Sequence, residues 1–396
     1  MMKNYMLTII SLVIVVSHVY GNDPITESDY LLITHPTLSG EWIDDLIDLQ
    51  TERGFKVGVY QELENGVTTN ENIRAFIYDA YSTGVQVKYV LLAGAGATIY
   101  DGTLGFKGYA GDSQRTESNI VNDDENNFIP FCYETHDIIY WGETQIPTDD
   151  LYIWDENNEW LNGISIGRIP ARTENEMNIF ITKLNEYYST FKFYNHWQEN
   201  SIFLSQDFDC DITNCDGFRL DQMYDAVFDY INYEEINDSI YFIKATNLLE
   251  ETSAFYQCGE KEIIFENEIM SKMNNGVALI NYMGTSAGPN HLGGFLWAQD
   301  TENQSNFSLL TNSGKYPFLN GMSCNIGRTQ FPNDDFSLIR DLLFLPNKGI
   351  ISSFAPTILT EQWGCQELSK RFFNIVYNEN SIITGEVSHK SKILLE

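Results

Sequence analysis

Two quoted segments decide the fold of this chain: GVALINYMGTSAG at 276–288 and YPFLNGMSCNIGRTQ at 316–330. Each contains an apolar run, Val277–Met283 in the first and Phe318–Ser323 in the second, that stops abruptly at small and polar residues. Apolar runs of this length, bounded by glycines, are typical of buried parallel strands. The two segments therefore predict neighbouring strands of an α/β sheet.

Small polar residues follow each predicted strand. Gly284, Thr285 and Ser286 come after the first strand, and Cys324 follows the second. Parallel α/β sheets carry their reactive groups in loops at the carboxyl ends of the strands. The sequence therefore predicts that Thr285, Ser286 and Cys324 lie together at one edge of a sheet.

The rest of the chain alternates predicted strands and helices in two series, which implies parallel sheets covered by helices. The first series begins at Tyr30 and the second at Ser201. Within the first series, Gly94–Asp150 is rich in Gly, Asn and Asp and is predicted to form long connections over the edge of the sheet. We predict an α/β fold with two adjacent, mostly parallel sheets. The predicted divisions are a signal peptide at 1–21, an N-terminal α/β subdomain at 22–195, and a second subdomain at 196–396 that carries Cys324.

Composition excludes several classes of partner. The 396 residues carry a formal net charge of −33, and 43% of them are apolar. Non-specific binding to nucleic acid or to an anionic membrane needs basic patches, so neither is expected. Gly94 and Gly96 lack the third glycine of a dinucleotide fingerprint, so no such cofactor is expected there.

The first residues have the composition of a secretory signal. Lys3 is followed by the apolar segment Tyr5–Val16 and by small or neutral residues up to Gly21. That apolar segment is too short for a comfortable membrane span. We predict cleavage after Gly21 and a secreted protein without other membrane contact, an uncleaved anchor being the alternative. An oxidising destination permits disulfides among the six cysteines, of which Cys210 and Cys215 are the easiest local pair.

Cys324 is the leading candidate nucleophile. It directly follows a predicted strand, and Gly321 and Gly327 leave space for a substrate backbone beside it. A free thiol has a pKa near ~8.5, so it needs an activating base, usually a histidine. The alternative is a cysteine that is buried or bonded in a disulfide.

Seven segments together resemble the catalytic domain of the gingipain family of cysteine peptidases, which has a caspase-like fold. They occur in the family's order and span nearly the whole mature chain. The resemblance implies peptide or protein substrates, no required metal, and Cys324 in the nucleophile's place. The segments are YLLITHP (30–36), VKYVLLAGA (87–95), PTDDLY (147–152), ISIGRIPARTENE (164–176), NNGVALINYMG (274–284), YPFLNGMSCNIGRTQF (316–331) and GIISSF (349–354).

The chain departs from the family at the general base. Where the resemblance implies a histidine, this sequence has Thr285, within Gly284-Thr285-Ser286. A threonine hydroxyl neither accepts a proton at neutral pH nor forms a cation that stabilises a thiolate. His291, six residues further along, is the candidate substitute base, the alternative being an ordinary loop histidine.

Asp207 ends another predicted strand, and the resemblance implies that an acid at this position orients the base. Nearby acids contact a basic substrate side chain in the family. Asp207, Asp209 and Asp211 also alternate as in a calcium loop, but Ile212 stands where such a loop needs glycine. Structural calcium is therefore one interpretation, and a solvated acidic loop is the other.

A serine hydrolase is the lesser alternative. Gly284-Thr285-Ser286-Ala287-Gly288 fits the Gly-x-Ser-x-Gly nucleophile elbow and follows a strand. That elbow must open a helix, whereas Pro289 and further glycines follow here. Asp341 and His389 would complete a triad order with Ser286, although nothing in the sequence selects them.

Two hypotheses about function remain. In the first, the chain is a secreted cysteine peptidase that uses Cys324 and is impaired by the exchange at Thr285. In the second, it is a pseudopeptidase that binds peptides or proteins without cleaving them. The sequence predicts neither the oligomeric state nor the preferred substrate residue.

Overall fold

A computed structural model describes most of the chain from Ser28 onward. The predicted signal peptide lies outside the described residues. The structure describes residues 28–61, 70–82, 87–96, 128–140, 143–155, 160–191, 196–206, 240–245, 269–284, 291–292, 296–297, 306–324, 326–327, 329, 337–357, 362–377 and 384–393.

Strands and helices alternate along both series, and residues 269–275 are helical as well. Short 3-10 turns occur at Pro36–Leu38, Asp150–Ile153, His196–Glu199 and Asn306–Leu309. The strands are β1 (Tyr30–Thr34), β2 (Val57–Tyr60), β3 (Tyr89–Ala93), β4 (Cys132–Tyr140), β5 (Glu143–Thr148), β6 (Ser165–Ile169), β7 (Ser201–Gln206), β8 (Ile240–Ala245), β9 (Leu279–Met283), β10 (His291–Leu292), β11 (Leu296–Trp297), β12 (Phe318–Met322) and β13 (Ser352–Phe354). The helices are α1 (Trp42–Glu52), α2 (Asn70–Ser82), α3 (Glu174–Phe191), α4 (Leu338–Phe344), α5 (Gln362–Tyr377) and α6 (Thr384–Ile393).

Two parallel sheets form the framework. The first has the strand order β2-β1-β3-β6, and the second has the order β13-β12-β9-β7-β8. All neighbouring strands within these two sheets pair in parallel. The predicted α/β fold with two mostly parallel sheets is confirmed, whereas the boundary at residue 195 stays a prediction.

A shared hydrophobic core joins the two sheets. One buried cluster contains side chains of α1 and α3, which follow strands of the first sheet, and of α4, which belongs to the second series. Leu32 of β1 and Leu319 of β12 both belong to it and are fully buried. Two further clusters cover the opposite faces, one against α2 and one against α5. The sheets therefore pack around a common layer of helices.

Lys183 crosses this shared layer as a buried cation. Its side chain on α3 is 0% exposed, and Nζ donates to the carbonyls of Leu342, Leu343 and Ile350 at 3.0, 2.9 and 2.8 Å. The first two carbonyls belong to the last turn of α4, where unpaired carbonyls attract a positive charge. Burial lowers the pKa of Lys183 to about 7, while nearby Glu186 opposes that shift.

Two elements differ from the sequence prediction. The predicted connection Gly94–Asp150 contains an antiparallel hairpin, β4 with β5, within its described part. The last helix, α6, was not predicted at all. It packs against β6 of the first sheet, and Glu386 accepts a hydrogen bond of 2.6 Å from the Tyr89 hydroxyl. The end of the chain therefore returns to the first sheet.

The described part of the chain contains no helix that is both long enough and apolar enough to cross a bilayer.

Replacing Lys183 by methionine should strongly destabilise the protein. The variant removes the Lys183 donor from three carbonyls, of which that of Leu342 keeps the Ile350 amide at 3.2 Å. Each buried carbonyl left without a donor costs about 1–3 kcal/mol. We expect the free energy of unfolding to fall by about 3 kcal/mol, measured by urea denaturation. Lys392→Met is the matched control, because the ion pair of Lys392 with Asp150 is partly exposed and contributes at most about 1 kcal/mol. Equal losses in the two variants would contradict the capping role.

Candidate active site

The ends of β9 and β12 lie side by side at the carboxyl edge of the second sheet. The two strands pair in parallel from Phe318 opposite Leu279 to Met322 opposite Met283. The amide of Gly284 then donates to the Met322 carbonyl at 3.4 Å. The edge predicted from the sequence therefore exists at this point of the chain.

Cys324 stands two residues beyond β12. Its side chain is partly exposed, whereas Cys132 and Cys365 are buried, and no disulfide joins these three described cysteines. Burial, reinforced by the Asp149 carboxylate, raises the pKa of Cys132 to about 12. Cys324 is therefore the one of the three that a substrate can reach.

Tyr282 of β9 lies behind this edge. Its side chain is fully buried in the shared core, and burial together with the Cys324 thiol raises the pKa of Tyr282 far above its ordinary value. The phenol therefore keeps its proton at neutral pH and cannot act as a base towards the thiol.

A buried polar cluster lies beneath the site, and the sequence analysis missed it. Asn320 donates from Nδ2 to Oδ1 of Asn281 at 2.7 Å, and the Ser369 hydroxyl approaches the same oxygen at 3.4 Å. All three side chains are 0% exposed. Asn281 and Asn320 each stand two residues before the last residue of their strand, so this hydrogen bond ties together the strands that form the site. The only sequence signal is a pair of asparagines inside two apolar runs.

The sequence model of peptidase family C25 matches residues 23–396. The chain belongs to peptidase family C25. A comparison with curated proteins finds no match.

Solved gingipain structures share the fold. The arginine-specific cysteine proteinase gingipain R aligns with a TM-score of 0.64 and 16% identity, covering 94% of this chain and 74% of the other. The complex of the RgpB pro- and mature domains from Porphyromonas gingivalis aligns with a TM-score of 0.63 and 16% identity, covering 92% and 74%. The predicted gingipain-like, caspase-like fold is thus confirmed.

Several predicted site residues lie outside the described residues: Thr285, Ser286 and Asp207, together with the acidic loop after Asp207. Their roles stay predictions, as does the calcium interpretation. Among the described residues, no group of three or more His, Cys, Asp or Glu side chains could hold a metal ion. His291 belongs to the two-residue strand β10, where it pairs with Trp297 of β11.

The two residues that could complete a serine triad have other surroundings. His389 is buried edge-on against Trp160, and burial lowers its pKa, with Asp150 and Lys392 as the nearby charges. Asp341 lies on α4 beside Arg340, and burial raises its pKa to about 6. These contacts give no support to a joint role with Ser286.

Iodoacetamide should distinguish the described cysteines in the native protein. It reacts with thiolates, so Cys324 should be alkylated at pH 8 while Cys132 and Cys365 stay protected until the protein is unfolded. Peptide mass spectrometry of the alkylated protein reads each site separately. Prompt alkylation of Cys132 in the folded protein, at the rate of Cys324, would contradict the buried placement.

Proposed function

We propose that this chain is a secreted peptidase domain in which the Cys324 thiolate attacks a peptide carbonyl. One observation carries the proposal: Cys324 is partly exposed at the carboxyl end of β12, an interior strand of the second sheet. Family membership supplies the reaction class, and the composition of the first 21 residues, from which we predict a signal peptide, supports secretion.

The reaction requires no metal or cofactor. The sulfur of Cys324 forms a bond to the carbonyl carbon, and the carbonyl oxygen takes up the negative charge. Collapse of this adduct breaks the carbon–nitrogen bond, and the amine leaves with a proton. Water then hydrolyses the thioester, which releases the acid and restores the thiol. Calcium, if bound near Asp207, would have a structural role.

Proton transfer is the weak step of this reaction in our proposal. By its place in the sequence, Thr285 occupies the position of the family's histidine, and its hydroxyl cannot take the proton of Cys324. Loss of a general base typically costs about 10²–10⁴ in rate. We therefore expect impaired turnover, with His291 as the candidate substitute base.

The second candidate function is peptide or protein binding without cleavage. Thr285 favours the binding function, because a pseudopeptidase keeps its substrate cleft while losing the general base. The two functions share a substrate class and differ only in whether the thiol becomes activated.

A thiol-directed peptide probe should label the purified protein at Cys324. We expect labelling to disappear in Cys324→Ala and to fall at least tenfold in His291→Ala, if His291 serves as the base. His196→Ala is the matched control, because His196 lies in the 3-10 turn before β7, at the opposite end of that strand from the predicted site edge. Absence of labelling together with intact peptide binding would leave only the binding function. Labelling by a serine-directed fluorophosphonate probe that survives Cys324→Ala but not Ser286→Ala would favour a serine hydrolase.

Restoring the histidine should raise activity. In Thr285→His we expect peptide cleavage to increase by about 10²-fold or more, because a general base contributes 10²–10⁴ in rate. The measurement is the initial rate with a mixed peptide library, and Thr285→Asn serves as a control of similar polarity without a base. An increase in both variants, or in neither, would argue against position 285 as the missing base.

A further inference from the structure

The chain just beyond Cys324 is anchored in the core. Ile326 is 0% exposed and belongs to the hydrophobic cluster shared by the two sheets. A Cβ added to Gly321 would come within 3.3 Å of Cδ1 of Ile326. The Ile326 side chain therefore packs closely against Gly321, where there is no side chain to obstruct it.

Gly327 packs against the segment that follows β13. Its amide donates to the Pro356 carbonyl at 2.8 Å. A Cβ at this position would stand 2.5 Å from the Ala355 carbonyl oxygen and 2.9 Å from that of Pro356. Both obstacles are backbone atoms, so they cannot rotate away as a side chain would. Close approach, and not an unusual backbone angle, is what requires glycine here.

The chain just before Cys324 is fixed as well. Met322 and Ser323 are each 1% exposed, and the Ser323 amide donates to the Gly321 carbonyl at 3.1 Å. Cys324 is thus a partly exposed residue between the buried Met322 and Ser323 on one side and the buried Ile326 on the other. Its backbone is held on the one side by β12 and on the other by the contact of Gly327 with Pro356.

We propose that Gly327 is a positioning residue for Cys324. Its close packing on Ala355 and Pro356 fixes the backbone on the carboxyl side of the cysteine and so sets the direction in which the thiol is presented to a peptide. This inference rests on the proposed role of Cys324. It makes the end of β13 a support of the site, although that segment supplies no reacting group.

The test compares Gly327→Ala with Gly364→Ala, because a Cβ at Gly364 meets nothing within 4 Å. In Gly327→Ala the loop must move away from β13. We expect iodoacetamide alkylation of Cys324, measured by peptide mass spectrometry, to become about tenfold faster as the thiol is released. We expect labelling by the peptide probe to fall by about 10²-fold, since small misplacements cost reactivity on that scale. Gly364→Ala should match the wild type in both measurements.

Faster alkylation together with weaker labelling by the peptide probe would show that Gly327 positions Cys324. A residue that only stabilised the fold would not change the two rates in opposite directions. Thermal unfolding and protection of Cys132 and Cys365 report whether the fold is intact. An alkylation rate that is unchanged or lower in folded Gly327→Ala would overturn the proposal. If the peptide probe does not label the wild type, the proposed peptidase function fails, yet the iodoacetamide comparison still decides the role of Gly327.

Two further measurements cover a Gly327→Ala variant that does not fold. Ile326→Val shortens the anchor while keeping the glycine, and it should shift the two rates in the same opposite directions by smaller factors. Hydrogen exchange in the wild type should show the Gly327 amide protected by its bond to Pro356. Exchange of that amide at the rate of an unprotected peptide would contradict the proposed positioning role of Gly327.

Discussion

Parallel pairing of β9 with β12 is the constraint on which the site depends. A shift of register would move buried side chains into unsuitable places, and the Asn281–Asn320 hydrogen bond specifies one register within two otherwise apolar strands. Nδ2 of Asn281 and Oδ1 of Asn320 have no partner in the described structure, and unsatisfied buried groups of this kind cost about 1–3 kcal/mol. The pair therefore contributes specificity of alignment more than net stability.

The same logic applies to the join between the two sheets. The shared core would permit some sliding of α3 against α4, since apolar contacts have little directionality. Lys183 removes that freedom, because its ammonium group meets three backbone carbonyls at defined distances. Glu176 on α3 and Arg340 on α4 add a partly buried ion pair at the same junction. Polar contacts thus set the relative position of elements that the hydrophobic effect holds together.

The sequence predicted the two sheets because their strands are glycine-bounded apolar runs, and it placed Cys324 at the correct edge for the same reason. It missed α6, whose core contacts include His389 and Ser391, because polar residues at buried positions hide the helical pattern. The β4–β5 hairpin was missed because its polar residues, such as Glu134 and Asp137, resemble a connection. Nothing in the sequence indicates the burial of Lys183, since its carbonyl partners lie 159, 160 and 167 residues away along the chain.

In the proposed function, the residues that position the Cys324 thiol are different from the residue that activates it. Presentation depends on residues around β12 and β13, namely Ser323, Ile326 and Gly327, which the core holds in place. Activation, in the proposed function, depends on the residue after Gly284, at the end of a different strand. Residue 285 follows β9 in sequence, so a change there leaves the buried residues of β9, Ile280 to Met283, unchanged. In the proposed function, loss of the base would therefore leave the buried residues of β9, the β9–β12 register and the position of Cys324 in place, while the capacity to move the proton changes.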